Sequence, residues 1–364
     1  MPQNPKIIIS GGGTGGHIFP AIAIANALKA KNPQCEILFV GALGRMEMEK
    51  VPAAGYKIEG LNIAGLQRSL SPKNLSFPFK VVGSLLQARK IINEFKPDVA
   101  VGVGGYASGP LLFVASLMGI PSLIQEQNSF GGITNKILGK KAKKICVAYS
   151  GMEKFFPKES ILLTGNPVRQ DILNLTGKKE IGIEKFGLNT YKPTLLVVGG
   201  SLGAKTINES LYEGLDRLEV AGIQVIWQTG KLFYEKAKSK ANENVNVFDF
   251  IKEMDLAYSV ADLVVSRAGA SSISELCIVA KPTILVPSPN VSEDHQTHNA
   301  LALTTKQAAL LVKDSDAKQT LVDTAIRLAK DSAKMNLLSE NIAKLALPNS
   351  AGIIAEEVLK LIKK

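Results

Sequence analysis

Two glycine-rich stretches follow short apolar runs. Ile7-Ile8-Ile9-Ser10 leads into Gly11-Gly12-Gly13-Thr14-Gly15-Gly16-His17, and Leu195-Leu196-Val197-Val198 leads into Gly199-Gly200-Ser201-Leu202-Gly203-Ala204. A strand, a glycine turn and a helix together make an anion site. Free backbone N–H groups and the positive helix end face the turn, and glycine lets a phosphate come close. One such turn is a weak signal; two, near the starts of the two halves, point to two nucleotide-fold domains with a cleft between them. A further turn, Gly104-Gly105-Tyr106-Ala107-Ser108-Gly109-Pro110, lies in the first half. Two turns on one sheet edge can clasp a diphosphate from both sides; the plainer alternative is a tight strand–helix crossover.

Other residues around these turns are suited to acid–base work or to sugar recognition. His17 opens a helix, where the positive end disfavours an imidazolium, so a neutral ring is expected near neutral pH. Such a ring is either a base for a hydroxyl proton or a polar cap holding the loop. Glu126, in Gln125-Glu126-Gln127-Asn128, stands at the C-terminal end of an expected strand, where α/β sheets bind ligands. It is the alternative base, or else a loop carboxylate. In Ser266-Arg267-Ala268-Gly269-Ala270-Ser271-Ser272-Ile273-Ser274-Glu275, small residues at a strand–helix junction suit a phosphate. Glu275 lies one turn into that helix, where its carboxylate can accept hydrogen bonds from vicinal ribose hydroxyls; a capping box from Ser272 to Glu275 competes with this. His295 and His298 lack a third ligand, so no metal site is expected there. Gln296 and Asn299 read as partners of sugar hydroxyls. Asp314-Ser315-Asp316 reads as solvated surface. Gly11, Gly13 and Gly16 also satisfy the dinucleotide fingerprint, but residues 39–42 (Phe-Val-Gly-Ala) put no acid at the tip of the second strand to hold a ribose.

The elements that must position these groups alternate in a βαβ rhythm. Strands are expected over 7–10, 36–40, 99–103, 122–125 and 144–147, then over 194–198, 223–228, 245–248, 263–266 and 283–286. Helices are expected over 17–31, 80–95, 110–118, 271–279, 295–305 and 353–364, several with apolar residues at helical spacing. This is α/β architecture with doubly wound parallel sheets. A chain of 364 residues exceeds one ordinary core. The rhythm pauses near Asn166, which sets expected domains of 1–165 and 166–350, with a helix over 351–364 returning to the first domain.

Composition narrows the partners. With 43 Lys+Arg against 32 Asp+Glu the net charge is +11. That fits a solvated basic surface or attraction to an anionic partner. No arginine-rich run with interleaved aromatics is present, so nucleic acid is not expected. Cys35, Cys146 and Cys277 form no CxxC pair, which fits a reducing cytoplasm. The first strand begins almost at once, and no secretory leader is expected. The apolar stretch 99–124 is interrupted by glycines, Pro110 and Pro121, so membrane contact is expected to be peripheral. Leu75, Phe77, Phe79, Val82, Leu85 and Leu86 form an apolar cluster, and Lys136, Lys140, Lys141, Lys143 and Lys144 a basic one. Apolar residues rimmed by lysines suit an anionic membrane, at roughly 1 kcal/mol per basic residue; the alternative is core plus a solvated face.

Six motifs in order make a specific set: 12–17 (GGTGGH), 104–110 (GGYASGP), 126–128 (EQN), 165–169 (GNPVR), 199–204 (GGSLGA) and 266–270 (SRAGA). With them nearly the whole chain resembles the glycosyltransferase family 28 enzymes that act on lipid I (undecaprenyl-diphosphate-MurNAc-pentapeptide) in bacterial peptidoglycan synthesis. The resemblance implies a GT-B fold, two Rossmann-like parallel-sheet domains facing across a cleft. It implies that UDP-GlcNAc binds the second half. There the Ile251 backbone would meet uracil, Glu275 the ribose, Ser201 and Arg169 the phosphates, and Gln296 the sugar; Ala270, Ser271, Ser272, Ile273 and Ser274 at the helix start, with Asn299, complete the expected substrate-binding set. Thr14, Gly15, Gly16 and Asn128 would line the cleft from the first half, and Gly13, Gly104, Gly105, Tyr106 and Ser108 would hold the acceptor's diphosphate.

The implied reaction is inverting. The MurNAc 4-hydroxyl attacks C1 of GlcNAc, UDP departs, and lipid II forms, with His17 or Glu126 as base and no cofactor or metal. The implied place is the cytoplasmic face of the bacterial inner membrane, held peripherally through Leu75, Phe79, Val82, Leu85 and nearby lysines. Other cell-wall synthesis proteins would be partners, in service of cell shape and division. The loop 288–294 is slightly longer than the family pattern, and the apolar cluster lacks tryptophan, Trp227 lying in the other half. Two other classes stay open: a UDP-GlcNAc 2-epimerase and a non-catalytic UDP-sugar sensor.

Overall fold

The computed structural model describes residues 4–63 and 77–362. The chain forms two units, Met1–Val168 with Asn349–Lys364, and Arg169–Pro348. Asn166 stays with the first unit because its amide is built into it. Gln125 Nε2 donates to its Oδ1 (2.8 Å), and its Nδ2 donates to the Gln127 carbonyl (3.0 Å).

The first unit carries seven parallel strands: β1 (Lys6–Ser10), β2 (Glu36–Ala42), β3 (Lys57–Leu61), β4 (Val99–Gly102), β5 (Ser122–Glu126), β6 (Lys144–Val147) and β7 (Ile161–Leu163). Their order in the sheet is β3-β2-β1-β4-β5-β6-β7. Helices α1 (Gly15–Lys31), α2 (Glu47–Ala53), α3 (Phe77–Phe95), α4 (Ser108–Leu117) and α5 (Ile133–Gly139) connect them. β1 shows why the sheet is covered on both faces. Ile7 and Ile9 pack with Ile18, Ala21 and Ile24 of α1, while Ile8 turns to the opposite core with Leu111 and Leu112 of α4. Side chains alternate along a strand, so an unbroken apolar run means burial on both sides. The last helix, α14 (Ser350–Ile362), returns to this unit. Its Ile354, Ala355, Val358 and Leu359 join the α1 core, full burial of an Ile, Val or Leu side chain contributing about 1.5–3 kcal/mol before entropy is counted.

The second unit holds β8 (Thr194–Val198), β9 (Gln224–Gln228), β10 (Val245–Phe248), β11 (Leu263–Ser266), β12 (Thr283–Leu285) and β13 (Leu310–Leu311). The order is β10-β9-β8-β11-β12-β13, all parallel. Its helices are α6 (Lys178–Phe186), α7 (Lys205–Val220), α8 (Lys231–Lys238), α9 (Met254–Val260), α10 (Ala270–Val279), α11 (His295–Thr304), α12 (Ala317–Ala329) and α13 (Ser332–Ala343). In each sheet the winding direction reverses beside the first strand, between β1 and β4 and between β8 and β11. That switch point is where such sheets bind ligands.

β3, β7 and β13 lie outside the expected set. All three are edge strands: β3 mixes apolar with polar residues, while β7 and β13 are only three and two residues long, β7 falling at the expected pause. The three cysteines are free and buried. Burial pushes the Cys146 and Cys277 thiols up to about 12.

Candidate functional site

In the first unit the turns leaving β1 and β4 interlock. Gly12 N–H donates to the Gly104 carbonyl (3.2 Å), and a Cβ on Gly105 would collide with the Gly12 carbonyl. Gly105 also holds φ +94°, a conformation that glycine alone adopts readily. Their N–H groups are not equally available. Gly13 N donates to Glu47 Oε2 (2.8 Å) and Ala42 N to Oε1 (3.0 Å). Glu47 is buried, and its carboxylate lies against the Cα of Gly12. The direct phosphate role expected of the Gly13 N–H is therefore corrected: it belongs to Glu47, a residue sequence reasoning missed. Ser108 is corrected too. It is fully buried, with its hydroxyl shared between the Ser10 and Gly104 carbonyls (2.9 and 3.1 Å), so it ties the turns together. The groups facing outward are exposed Tyr106 and the start of α1, where Thr14, Gly15 and Gly16 bring N–H groups that no helical carbonyl reaches.

His17 sits in the first turn of α1 with Nδ1 2.9 Å from the Gly12 carbonyl oxygen. A carbonyl only accepts, so this bond places a hydrogen on Nδ1. Nε2 faces the second turn, 2.8 Å from where a Cβ on Gly104 would stand. A neutral imidazole in this tautomer can take a proton through Nε2.

Glu126 is differently placed. Oε1 accepts from Asn128 N (3.1 Å) and Nδ2 (3.4 Å), and Oε2 from Gly132 N (3.1 Å) and Asn135 Nδ2 (2.9 Å). Four donors converge on a buried carboxylate that shapes the loop after β5. The arrangement corrects the alternative-base reading in favour of the loop carboxylate, and it fixes Asn128 in place.

The second unit repeats the interlock. A Cβ on Gly203 would collide with the Thr229 carbonyl, and one on Gly230 with Gly203 N. Gln228 spans from this turn to the next: its Nε2 donates to the Gly200 carbonyl (3.0 Å) and its Oε1 accepts from Ile251 N (2.9 Å). The Ile251 backbone thus offers its carbonyl, its N–H being committed to Gln228. Ser201 is exposed at the tip of the β8 turn.

α10 starts at Ala270 with Gly269 as its cap, so Ser271 and Ser272 present N–H groups at a helix start. Ser271 Oγ is buried and has no hydrogen-bond partner among the described residues. Two neighbours are corrected as direct contacts. The Ile273 side chain is core, and Ser274 Oγ donates back to the Ala270 carbonyl (3.0 Å). Asn299 is corrected as well: it is fully buried and Nδ2 donates to the Ala268 carbonyl (3.3 Å), bracing the β11 turn. Gln296 Oε1 accepts from Ser288 N (2.8 Å), which leaves its amide NH2 as the donor for a ligand. Asp314 is not solvated surface. It pairs with Arg267 and accepts from Thr206 Oγ1 (3.0 Å) at the start of α7, joining two loops at the switch point.

Buried Glu275 sits between buried Tyr258 and the more exposed Arg169. Arg169 Nε donates to Oε1 (3.0 Å) and the Tyr258 hydroxyl to Oε2 (3.2 Å). Burial raises the Glu275 pKa, and Arg169 and Tyr258 oppose that rise. Each carboxylate oxygen keeps a second lone pair, room for two further hydroxyl donors. The Ser272 capping box does not form. Arg169 is held beside this carboxylate, and Tyr258, 3% exposed, was not legible as part of the site. Among the described residues no group of three or more His, Cys, Asp or Glu converges on a metal position.

A separate apolar face lies on the first unit. Phe79, Val82 and Leu86 of α3, Phe113 and Leu117 of α4, and Ile133 and Ile137 of α5 are all exposed; Phe79 is 80% exposed. Lys140, Lys141 and Lys143 are exposed beside α5, and Lys141 Nζ stands 6.0 Å from the Phe113 ring centre. Leu85 instead packs on the core, and Leu75 lies outside the described residues. No helix among those described is long and apolar enough to cross a membrane.

Two parallel sheets in Rossmann order, each with glycine turns at its switch point, are the construction of a GT-B glycosyltransferase. Residues 7–147 match the glycosyltransferase family 28 N-terminal domain and residues 194–353 the C-terminal domain of that family; the chain belongs to glycosyltransferase family 28. A relative from Phocaeicola vulgatus, named UDP-N-acetylglucosamine–N-acetylmuramyl-(pentapeptide) pyrophosphoryl-undecaprenol N-acetylglucosamine transferase, is 59% identical over 100% of this chain and 98% of its own length. One of the same name from Cytophaga hutchinsonii is 58% identical over 100% and 99%. The crystal structure of MurG from Acinetobacter baumannii superposes with a TM-score of 0.78 at 30% identity, covering 98% of this chain and 99% of that one.

Proposed function

We propose that the protein transfers GlcNAc from UDP-GlcNAc to the MurNAc 4-hydroxyl of undecaprenyl-diphosphate-MurNAc-pentapeptide, producing lipid II with inversion at C1. The observation that carries this reading is the Glu275 carboxylate. It is held by Arg169 and Tyr258 one turn into α10, whose start presents N–H groups and the Ser271 hydroxyl. A carboxylate for ribose hydroxyls next to a helix N-terminus for phosphate is a nucleoside-diphosphate site. The Ile251 carbonyl is then the acceptor for the uracil imide N–H, and the Gln296 amide donates to the sugar. As the C1–O bond breaks, charge grows on the β-phosphate, where the α10 start and the exposed turn at Ser201 stabilise it.

In the first unit the α1 start holds the acceptor's diphosphate, and His17 Nε2 takes the 4-hydroxyl proton as that oxygen bonds to C1. The hydrogen bond from His17 Nδ1 to Gly12 sets the tautomer this step needs. The apolar face on α3, α4 and α5 with its lysine rim fits attachment to the anionic cytoplasmic surface of the inner membrane, which carries the acceptor. Incubation with UDP-GlcNAc and a soluble lipid I analogue tests the reading. UDP and a β-1,4-linked disaccharide are expected, and their absence refutes it.

A further inference from the structure

We propose that Arg45 is a specificity-determining cation for the acceptor's diphosphate, held over the mouth of the first glycine turn by the Tyr106 ring. The inference rests on the transfer reaction proposed above and sharpens its acceptor half. Arg45 follows β2, Tyr106 follows β4, and β1 lies between those two strands. Neighbouring strands are about 4.8 Å apart, so the exits of β2 and β4 are separated by roughly 10 Å. The Arg45 guanidinium carbon is nevertheless 5.8 Å from the Tyr106 ring centre. The two side chains therefore meet across the gap between these exits, on the side of the sheet where β1 ends and its turn leads into α1.

The segment that launches it is fixed to that same turn. Glu47, two residues on, accepts from Gly13 N and Ala42 N, and Gly44 reverses the chain at φ +70°. Arg45 is exposed, and among the described residues it forms no ion pair. An exposed guanidinium without a carboxylate, stacked beside a helix N-terminus, is a fork for a phosphoryl group. A diphosphate has two phosphoryl groups to hold. The α1 start takes one and Arg45 the other, so a monophosphate linkage would forgo the second contact.

The test compares a short-chain MurNAc-diphosphate acceptor with its monophosphate counterpart, using the full chain and UDP release. Arg45→Ala is expected to raise KM for the diphosphate acceptor by about tenfold or more, leave KM for UDP-GlcNAc within about twofold, and erase the preference for diphosphate over monophosphate. Arg45→Lys should restore part of that preference, and Tyr106→Leu should weaken it. An unchanged acceptor KM in Arg45→Ala, or an equal rise for both acceptors, overturns the inference while leaving the transferase reading intact. A wild-type protein that releases no UDP with either acceptor overturns both.

Discussion

Replacing Glu275 with alanine perturbs the proposed donor site at a buried carboxylate. The side chain offers two oxygens, each already accepting one bond, from Arg169 at 3.0 Å and Tyr258 at 3.2 Å. A hydrogen bond to a charged acceptor contributes about 1.5–3 kcal/mol, so losing one ribose contact raises KM for UDP-GlcNAc by roughly 10- to 150-fold. The effect falls on KM rather than kcat, because ribose lies far from the reacting C1 and binds equally in ground and transition states. The substitution also orphans the buried Tyr258 hydroxyl, at a stability cost of about 1–3 kcal/mol. Pairing Glu275→Ala with Tyr258→Phe should recover the melting temperature without recovering KM. The assay is UDP release at saturating acceptor, run with UDP-GlcNAc and with donors lacking the 2′- or 3′-hydroxyl of the ribose. Wild type should penalise both deoxy donors, and the variant should not. An unchanged KM, or intact discrimination in the variant, refutes the ribose assignment.

Because burial raises the Glu275 pKa above the ordinary 4.5, KM for UDP-GlcNAc should climb as pH falls through that raised value, and Glu275→Gln should flatten this limb of the pH profile. The same shift has the opposite sense for folding: the native state holds the proton more tightly, so this group's contribution to stability is largest in acid and declines as pH rises through the window. His17→Ala should lower kcat by about 100- to 10,000-fold with little change in either KM, and retained turnover would remove it as the base. Gly105→Ala forces a Cβ onto the Gly12 carbonyl at positive φ; thermal melting should show a loss of more than about 1 kcal/mol, alongside a collapse of activity.

The parallel sheets and the main turns were legible because buried parallel strands are unbroken apolar runs and the turns need glycine wherever two backbones meet. Gly105 against Gly12 and Gly230 against Gly203 are cases in point. What escaped were contacts made across sequence. Glu47 looks like any acid in a helix's first turn until its carboxylate is seen on Gly13 N, 34 residues away. Tyr258 lies 17 residues from the carboxylate it serves, and Asp314 read as loop surface because its partner, Arg267, is 47 residues distant. Residue type also misled where orientation decides. Ser108, Ser274 and Asn299 are polar and adjacent to the turns, yet their side chains face inward to backbone carbonyls. The apolar face was half legible: the α3 residues stood out as a cluster, whereas Phe113 and Ile137 lie among other apolar residues with nothing in the local sequence to set them apart.

Coupled transfer is tested most directly by following UDP and sugar products with donor alone, acceptor alone, and both together, each with and without EDTA. UDP should appear only with both substrates, in step with a β-linked disaccharide and at a rate the chelator leaves unchanged. Conversion of UDP-GlcNAc alone to ManNAc, or binding of the donor with no UDP release once the lipid-linked acceptor is added, would contradict the transferase account.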